Sequence, residues 1–567
     1  MDPAFLQAHW SALPNLDRLR RDGEFQPLAT TMPPQSPVAW STFITGTGPE
    51  QHGIYDFVSR NPRTLLPFSS LGETEPARGL SIGAWRIPLG SPKVHTFRRG
   101  APFWESLKQR GIPVTLVKVP MDYPPDSDAD AALSGLAVPD MQGTFGTFTY
   151  FTDDPSESAH AVSGGRIVPV RVRNHRAVLR VPGPPNPFRR DSRQTEVEMT
   201  VDIDPAQPAA RFTLGAAAFL LRQGEWSDWV QAEFPLIAAF PAARGMFRVY
   251  AQQLAGAFRV YVSPVNIDPS SPEAKISSPA SYSAGLARKT GPYYTQGIPQ
   301  DTSALRQHVF RRAEYLVQSR IASREQLALL KQSVTDFRGG FLFFHFFGVD
   351  QDSHMLWRKF DADLLDTYRM VDDAIGWVRA HSGNATLVVM SDHGFSTFTR
   401  AVNLNTWLLS QGYLKLRNAL SEDAHDILAN ADWSRTQAYA MGLNSLYLTH
   451  TGSVATLNEI GEKLKAFRDP DTGAPVVTSV WEPQSHSEYA PDLIAGYAPG
   501  YRCSWDAALG GISRAIVEDN QDEWIGDHCI DPQFVPGVLL VDRKTGLANP
   551  ALINLPAWIL ARFGVHR

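Results

Sequence analysis

The chain has 567 residues and a mass of 62.7 kDa, enough for several domains or one large domain carrying an insertion. Hydrophobic residues make up 43% and charged residues 20%, a globular balance that excludes whole-chain disorder. The net charge of −5 and a pI near 6.3 exclude a global basic field for nucleic acid or an anionic membrane, while leaving room for a local basic patch.

Read in chain order, Pro3 suits a first helical turn. Phe5 to Trp10 and Leu16 to Leu19 keep helical periodicity, so the chain is expected to open on helices with no strand before them. Trp104-Glu105-Ser106-Leu107, Gly111 and the β-branched run Pro113 to Val119 read as helix, glycine stop and buried strand. Between about Gly164 and Pro264 the period changes to two: Val197, Met199, Val201 and Ile203 alternate with polar residues, as do Phe247 and Val249. This predicts an inserted antiparallel β domain, with the proline-rich Val181 to Pro187 as a loop inside it and Pro264 to Tyr282 as the linker back. Helix and strand alternate again afterwards: Phe341 to Phe347 a strand, Met355 to His381 an amphipathic helix, Ala385 to Met390 and Val535 to Val541 strands. The expected organisation is an α/β domain in two parts, 1–163 and 265–567, interrupted by a β-rich insertion at 164–264.

No apolar run reaches the roughly 18 residues that a membrane span needs; Phe341 to Val349 and Ala216 to Leu221 come nearest. The first thirty residues lack a basic start and an apolar h-region, so no secretory signal is read and a cytoplasmic location is expected. Two cysteines, Cys503 and Cys529, exclude a disulfide scaffold and a cysteine-cluster metal site, which turns attention to the 15 histidines.

Four constellations fall at strand ends or turns, where open α/β sheets place their ligands. Ser36, in Pro33-Pro34-Gln35-Ser36-Pro37 before a helical stretch, is a hydroxyl near a positive helix end; alone it reads as a helix cap. Asp350 and His354, four residues apart after the phenylalanine strand, can face one side and meet a metal; alone they read as a cap and a packing histidine. Asp392 and His393 diverge from adjacent positions at the next strand end, with Gly394 allowing a sharp turn. His528 sits in the glycine-containing loop Trp524 to His528. Oxygen and imidazole ligands plus a hydroxyl form the inventory of a two-metal phosphoryl-transfer site.

In order and spacing these motifs resemble the alkaline phosphatase superfamily, specifically the type I phosphodiesterase/nucleotide pyrophosphatase branch. Ser36 stands ten residues before Gly46, where that branch has its nucleophile, and Pro49 to Ile54 carries its Pro-x-x-His-Gly-Ile pattern. The resemblance implies a three-layer fold with a mostly parallel sheet. It also implies Asp350, His354 and His528 on one metal, and Asp392, His393 and the Ser36 oxygen on the second. Two divalent cations, zinc first and manganese as an alternative, would serve attack by Ser36 on a small phosphate ester through a phosphoseryl intermediate. Phosphomonoesterase or phosphotransferase chemistry at the same centre, and a weakened scaffold used for binding, remain the alternatives.

Two departures accompany the resemblance. The family pattern begins with a strand ending in a metal-binding aspartate, and this chain starts just after that place, so the first strand is expected to be missing and activity reduced. Ala39 stands where nucleotide pyrophosphatases carry a phosphate-contacting asparagine, and Pro37-Val38-Ala39-Trp40 is not a formylglycine motif, which disfavours a sulfatase. His52, Asp352 and Asp527 read as supporting residues and Trp40 and Phe43 as core. Tyr293 and Tyr294 read as an interdomain contact, and Cys529 has no assigned role.

Overall fold

The computed structural model describes residues 1–566 except 91, 127–128, 238–239, 419–429 and 486. Helices Pro3–His9 and Pro14–Asp22 open the chain, each with proline in its first turn. Asp2 caps the first by accepting from the Phe5 amide at 2.8 Å. Asp372, on the long helix Asp361–His381, accepts from the Asn15 and Leu16 amides and so fixes the second against it.

Two sheets build the α/β layer. In one, Gly537–Val541 lies between Glu24–Leu28 and Val388–Met390, antiparallel to both. In the other, Val114–Val119 lies between Ala131–Ser134 and Phe341–Phe344, parallel to both, with Ser277–Ser278 antiparallel on the outer edge. The α/β character is therefore present, but the expected mostly parallel sheet is not; the pairing is mixed. The cause is legible in the strands: Gly537–Val541 is buried throughout, and a uniformly apolar run carries no mark of its direction. Phe341–Phe344 and Val388–Met390 each have a partner strand on one side among the described residues. Their C-terminal ends converge on the site described below.

Within residues 164–264, Arg176–Pro185, Gln194–Ile203, Ala209–Leu214 and Ala217–Arg222 form an antiparallel meander. Val197, Met199 and Val201 are buried while Glu196 and Glu198 are exposed, as alternation demands. The proline-rich run differs from expectation, since Val181 to Pro185 continues the first strand across an irregularity between Pro182 and Pro185. That strand is the sheet's edge, where prolines leave no ladder donor unmet. Residues 264–282 are likewise more than a linker: Asn266–Ile267 and Ser277–Ser278 each join a sheet. Phe148–Thr152 pairs with Gly165–Pro169 on one side and Arg259–Val262 on the other.

The expected helix from Met355 to His381 is two helices, Gly348–Leu356 and Asp361–His381. Arg358 turns through the left-handed region at φ 58° and its amide donates to Asp361 Oδ1 at 2.9 Å, so the chain breaks where apolar periodicity runs on. The Ser36–Thr45 helix lies deep in the main core: Trp40 and Phe43 both contact Phe343 edge-on or tilted, at 5.7 Å. Among the described residues no helix is long and apolar enough to cross a membrane.

Candidate metal centre and nucleophile

Ser36 opens the ten-residue helix Ser36–Thr45, whose partial positive end faces it. From Pro33 to Thr45 every residue but Ser36 is buried, so the backbone presents one hydroxyl to the surface of an otherwise closed segment. Gln35 anchors this turn: it donates to Asn444 Oδ1 at 2.8 Å and accepts from the Phe57 amide at 2.8 Å. Asn444 in turn donates to the carbonyls of Ala495 and Cys529, and its own amide donates to the buried Asp56 carboxylate. Burial pushes Asp56 upward in pKa, while the amides of Leu443 and Asn444 oppose that shift.

Ser36, Asp350, His354, Asp392, His393 and His528 come together from four separate stretches of chain. Asp350 and His354 share one face of the Gly348–Leu356 helix, with Asp350 Oδ2 3.7 Å from His354 Nε2. The other Asp350 oxygen is 3.8 Å from His393 Nε2, and Asp392 Oδ2 is 3.4 Å from the same nitrogen. Ser36 Oγ stands 3.1 Å from His393 Nε2. The His393 and His528 rings stack at 3.5 Å between centroids, and His354 lies 5.1 Å from His528. Ligand atoms of Asp350, His393 and His528 all fall within 4.8 Å of one another.

The protonation of this cluster follows from its hydrogen bonds. His354 Nδ1 lies 2.7 Å from the Gly526 carbonyl, His528 Nδ1 2.7 Å from the Pro34 carbonyl, and His393 Nδ1 3.0 Å from the Gly394 carbonyl. A carbonyl only accepts, so each Nδ1 carries the proton and each Nε2 presents a lone pair. Burial pushes all three imidazoles down to about 3, which keeps them neutral. Asp350 is raised to about 7, first by burial and then by the charge of Asp392. Asp350 Oδ1 and Asp392 Oδ2 are buried with no hydrogen-bond partner. Lone pairs and carboxylate oxygens thus point at one another, and the donors that reach them are the Ser36 hydroxyl beside His393 and the Gln351 side-chain amide, which donates to Asp350 Oδ2 at 2.9 Å. Such a donor set fits divalent cations, with each histidine held by the backbone carbonyl that metal-binding imidazoles commonly use.

A second grouping, Asp527, His528 and Cys529, is spent otherwise. Asp527 Oδ2 is 2.7 Å from Arg502 Nε and accepts from Trp524 Nε1 at 2.7 Å, while Oδ1 accepts from the amides of His528 and Cys529. Burial drives the Cys529 thiol well above its ordinary pKa, which disfavours the thiolate that a metal needs. Asp527 therefore orients the His528 loop. Asp352 is also consumed, accepting from Tyr315, Ser319 and Thr367. His52 packs beneath the nucleophile helix, 3.0 Å from Thr42 Oγ1. Tyr293 and Tyr294 are buried away from the cluster, Tyr294 against Trp229 of the β-rich region.

Several supporting residues carry no local signal. Arg502 is buried and pairs with Asp527 across 25 positions of sequence, and Trp524 stacks on His354 at 3.8 Å. Gln35 and Asn444 meet across 409 positions. The position of Gln35 beside Ser36 was the available hint; nothing in the sequence singles out Arg502 or Asn444.

The model of the type I phosphodiesterase/nucleotide pyrophosphatase family matches residues 1–168 and 253–509, and the chain belongs to that family. The match passes over 169–252 and ends before His528. No curated protein matches the chain in sequence. Among solved structures, phosphonoacetate hydrolase from Sinorhizobium meliloti 1021 in complex with phosphonoacetate is similar at TM-score 0.47 and 12% identity, over 98% of this chain and 92% of that one. Murine ectonucleotide pyrophosphatase/phosphodiesterase 5 is similar at TM-score 0.40 and 11% identity, over 98% and 94%. Family membership and the candidate ligand cluster together support a metal-dependent hydrolase.

Proposed function

We propose that this family member is a two-metal phosphohydrolase that cleaves a phosphodiester or related phosphate ester through a phosphoseryl intermediate. The observation that carries the reading is the donor set: three imidazole Nε2 atoms and two carboxylates, each with a buried oxygen that has no hydrogen-bond partner, converge beside one half-buried hydroxyl. Asp350, His354 and His528 would hold one cation, and Asp392, His393 and Ser36 Oγ the other, with zinc as the first choice for this mixed nitrogen and oxygen set. Bound cations would acidify the Ser36 hydroxyl and neutralise charge on the substrate phosphate.

The chain's own contributions follow from position. The Gln35 anchor and the buried Pro37–Thr45 helix hold Ser36 Oγ still, which lowers the entropic cost of in-line attack. In that attack the Ser36 Oγ–phosphorus bond forms, the ester oxygen leaves, and the phosphoryl group rests on Ser36. Water then attacks the same phosphorus, breaks the Ser36–phosphate bond and returns the hydroxyl. Ala39, buried and without a side-chain donor, gives no phosphate contact of the nucleotide pyrophosphatase kind, which favours an ester outside the nucleotides. Residues 164–264 form the insertion in this reading, supported by the stretch that the family model passes over.

The test is to measure metal content together with hydrolysis of paired aryl phosphate diester and monoester substrates, for the wild type and Ser36→Ala. Metal retained with turnover abolished in Ser36→Ala is the expected result, and turnover by that variant near the wild-type rate refutes the covalent route. Faster cleavage of the monoester reassigns the centre to phosphomonoesterase chemistry.

A further inference from the structure

A hairpin far along the chain from every candidate ligand carries a surface that catalysis does not use. Gly79–Ile82 and Trp85–Pro88 pair antiparallel, with Leu80 opposite Ile87 and Ile82 opposite Trp85. Gly83, at φ 61°, takes the first corner of the two-residue turn, where a side chain would be strained. Directly opposed residues and those two apart share a face, so Leu80, Ile82, Trp85 and Ile87 project together. They are 59%, 69%, 53% and 52% exposed, and Leu89, next on the same face, is 59% exposed. Four large apolar side chains side by side and more than half open is a patch that asks for an occupant.

The charge around it says which kind. Residues 76–104 hold Arg78, Arg86, Lys93, Arg98 and Arg99 and no aspartate or glutamate, in a chain whose net charge is −5. The hairpin is joined to a second basic stretch: Arg86 donates its amide to the Phe188 carbonyl at 2.8 Å, and Arg190 donates its amide to Ala84 at 3.1 Å. That loop brings Arg189, Arg190 and Arg193 with one acid, Asp191, which pairs with Arg189. Arg78, Lys93, Arg190 and Arg193 are exposed, whereas Arg98 is drawn inward towards Asp122. The nearest acids on the neighbouring ribbon are Glu73 and Glu75, and Glu75 lies 3.2 Å from His95.

We propose that this hairpin docks the protein on the surface of an anionic lipid bilayer. Its aliphatic tips enter the boundary of the acyl region, Trp85 sits at head-group level, and the flanking arginines and lysine meet lipid phosphates. A second copy of the chain fits less well, because a two-fold contact through this face sets the same arginines against themselves. Nucleic acid would use the basic residues but leaves the aliphatic face without a role.

Flotation of the full chain with vesicles of phosphatidylcholine alone, or containing about 30% phosphatidylglycerol, tests this. Binding at least ~10-fold greater to the anionic vesicles, and falling as salt is raised, is expected. The double substitution Ile82→Ser with Trp85→Ser should cost at least ~10-fold, and Arg78→Gln or Arg190→Gln roughly fivefold each. All should keep the wild-type melting temperature and its cleavage of a soluble aryl phosphodiester. Equal binding to both vesicle types, no binding to either, or undiminished binding by the serine double variant overturns the proposal. So does a wild-type dimer that the double variant dissolves, which assigns the face to a second copy. The arginine variants and the salt series keep the test open should the serine double variant fail to fold.

Discussion

Replacing Asp350 with asparagine separates stability from function in opposite directions. In the metal-free protein Asp350 faces Asp392 with Oδ1 buried and unpartnered, and its pKa is raised from 3.8 to about 7. Below the ordinary carboxylate value both folded and unfolded chains carry the proton, and the residue costs nothing. Between 3.8 and about 7 the unfolded chain ionises while the folded one does not, so stability falls as pH rises, and above about 7 the whole penalty is present. At ~1.36 kcal/mol per pH unit that penalty is at most ~4 kcal/mol. Solvent reaches a quarter of the side chain, 25% by surface, so ~2 kcal/mol is the better figure. Asp350→Asn should therefore stabilise the metal-stripped protein by ~2 kcal/mol near pH 8 and by almost nothing near pH 4. The same substitution removes a ligand, and metal content and ester hydrolysis should both fall at least ~10-fold. Urea unfolding in chelator at the two pH values, with elemental analysis and a phosphodiester assay, measures all three. An Asp350→Asn protein that is less stable near pH 8, or that keeps its full metal content, refutes the argument that these oxygens are held for a cation.

Four further outcomes follow from the geometry. Ser36→Ala should lower phosphoryl transfer by ~10³-fold or more while metal content stays within a factor of two, measured by turnover and elemental analysis. Arg502→Met strands the buried Asp527 carboxylate without its 2.7 Å partner and should cost ~3–5 kcal/mol in urea unfolding. Gly394→Ala places a Cβ 2.5 Å from the Pro536 carbonyl and 2.7 Å from Asp2 Oδ2; a loss of ~1–3 kcal/mol in a thermal melt, with weaker metal binding through the displaced His393, is expected. Lys118, pushed down from 10.5 to about 7 by burial, leaves the folded chain with fewer protons than the unfolded one between those values. Stability should rise with pH across that window, and Lys118→Met should flatten the rise in pH-dependent unfolding.

Ser36, Asp350, Asp392 and His393 were legible because each sits at the end of a recognisable strand or the start of a recognisable helix, whereas His354 and His528 were read from their spacing and order. Asp350 follows Phe341–Phe344, Asp392 and His393 follow Val388–Met390, and Ser36 begins a helix behind a pair of prolines. What surrounds them was not legible, for a reason of distance. The Arg502 guanidinium acts on His528 only through Asp527, and Gln35 steadies Ser36 only by reaching Asn444, 409 positions away. Periodicity reports which face of an element is buried; it does not report which buried polar groups will meet. Strand direction failed similarly, because Gly537–Val541 is apolar on both faces, and the proline-rich strand failed because its tolerance for proline depends on being an edge.

That division has a consequence for the chemistry. The cluster itself is electrostatically unfavourable when metal-free: neutral imidazoles and two facing carboxylates, whose charge is opposed by the buried N-terminal amine. The energy that holds it open comes from the surrounding network, with Asp527 satisfied four times over by Arg502, Trp524 and two amides, and Asp352 satisfied by three hydroxyls. The satisfied acids support the frame, and the unsatisfied acids face the candidate metal. Burial alone does not distinguish them, since Asp352, Asp392 and Asp527 are all buried. The hydrogen-bond partners do, and they separate the two kinds of carboxylate in the same way as the order of motifs along the chain.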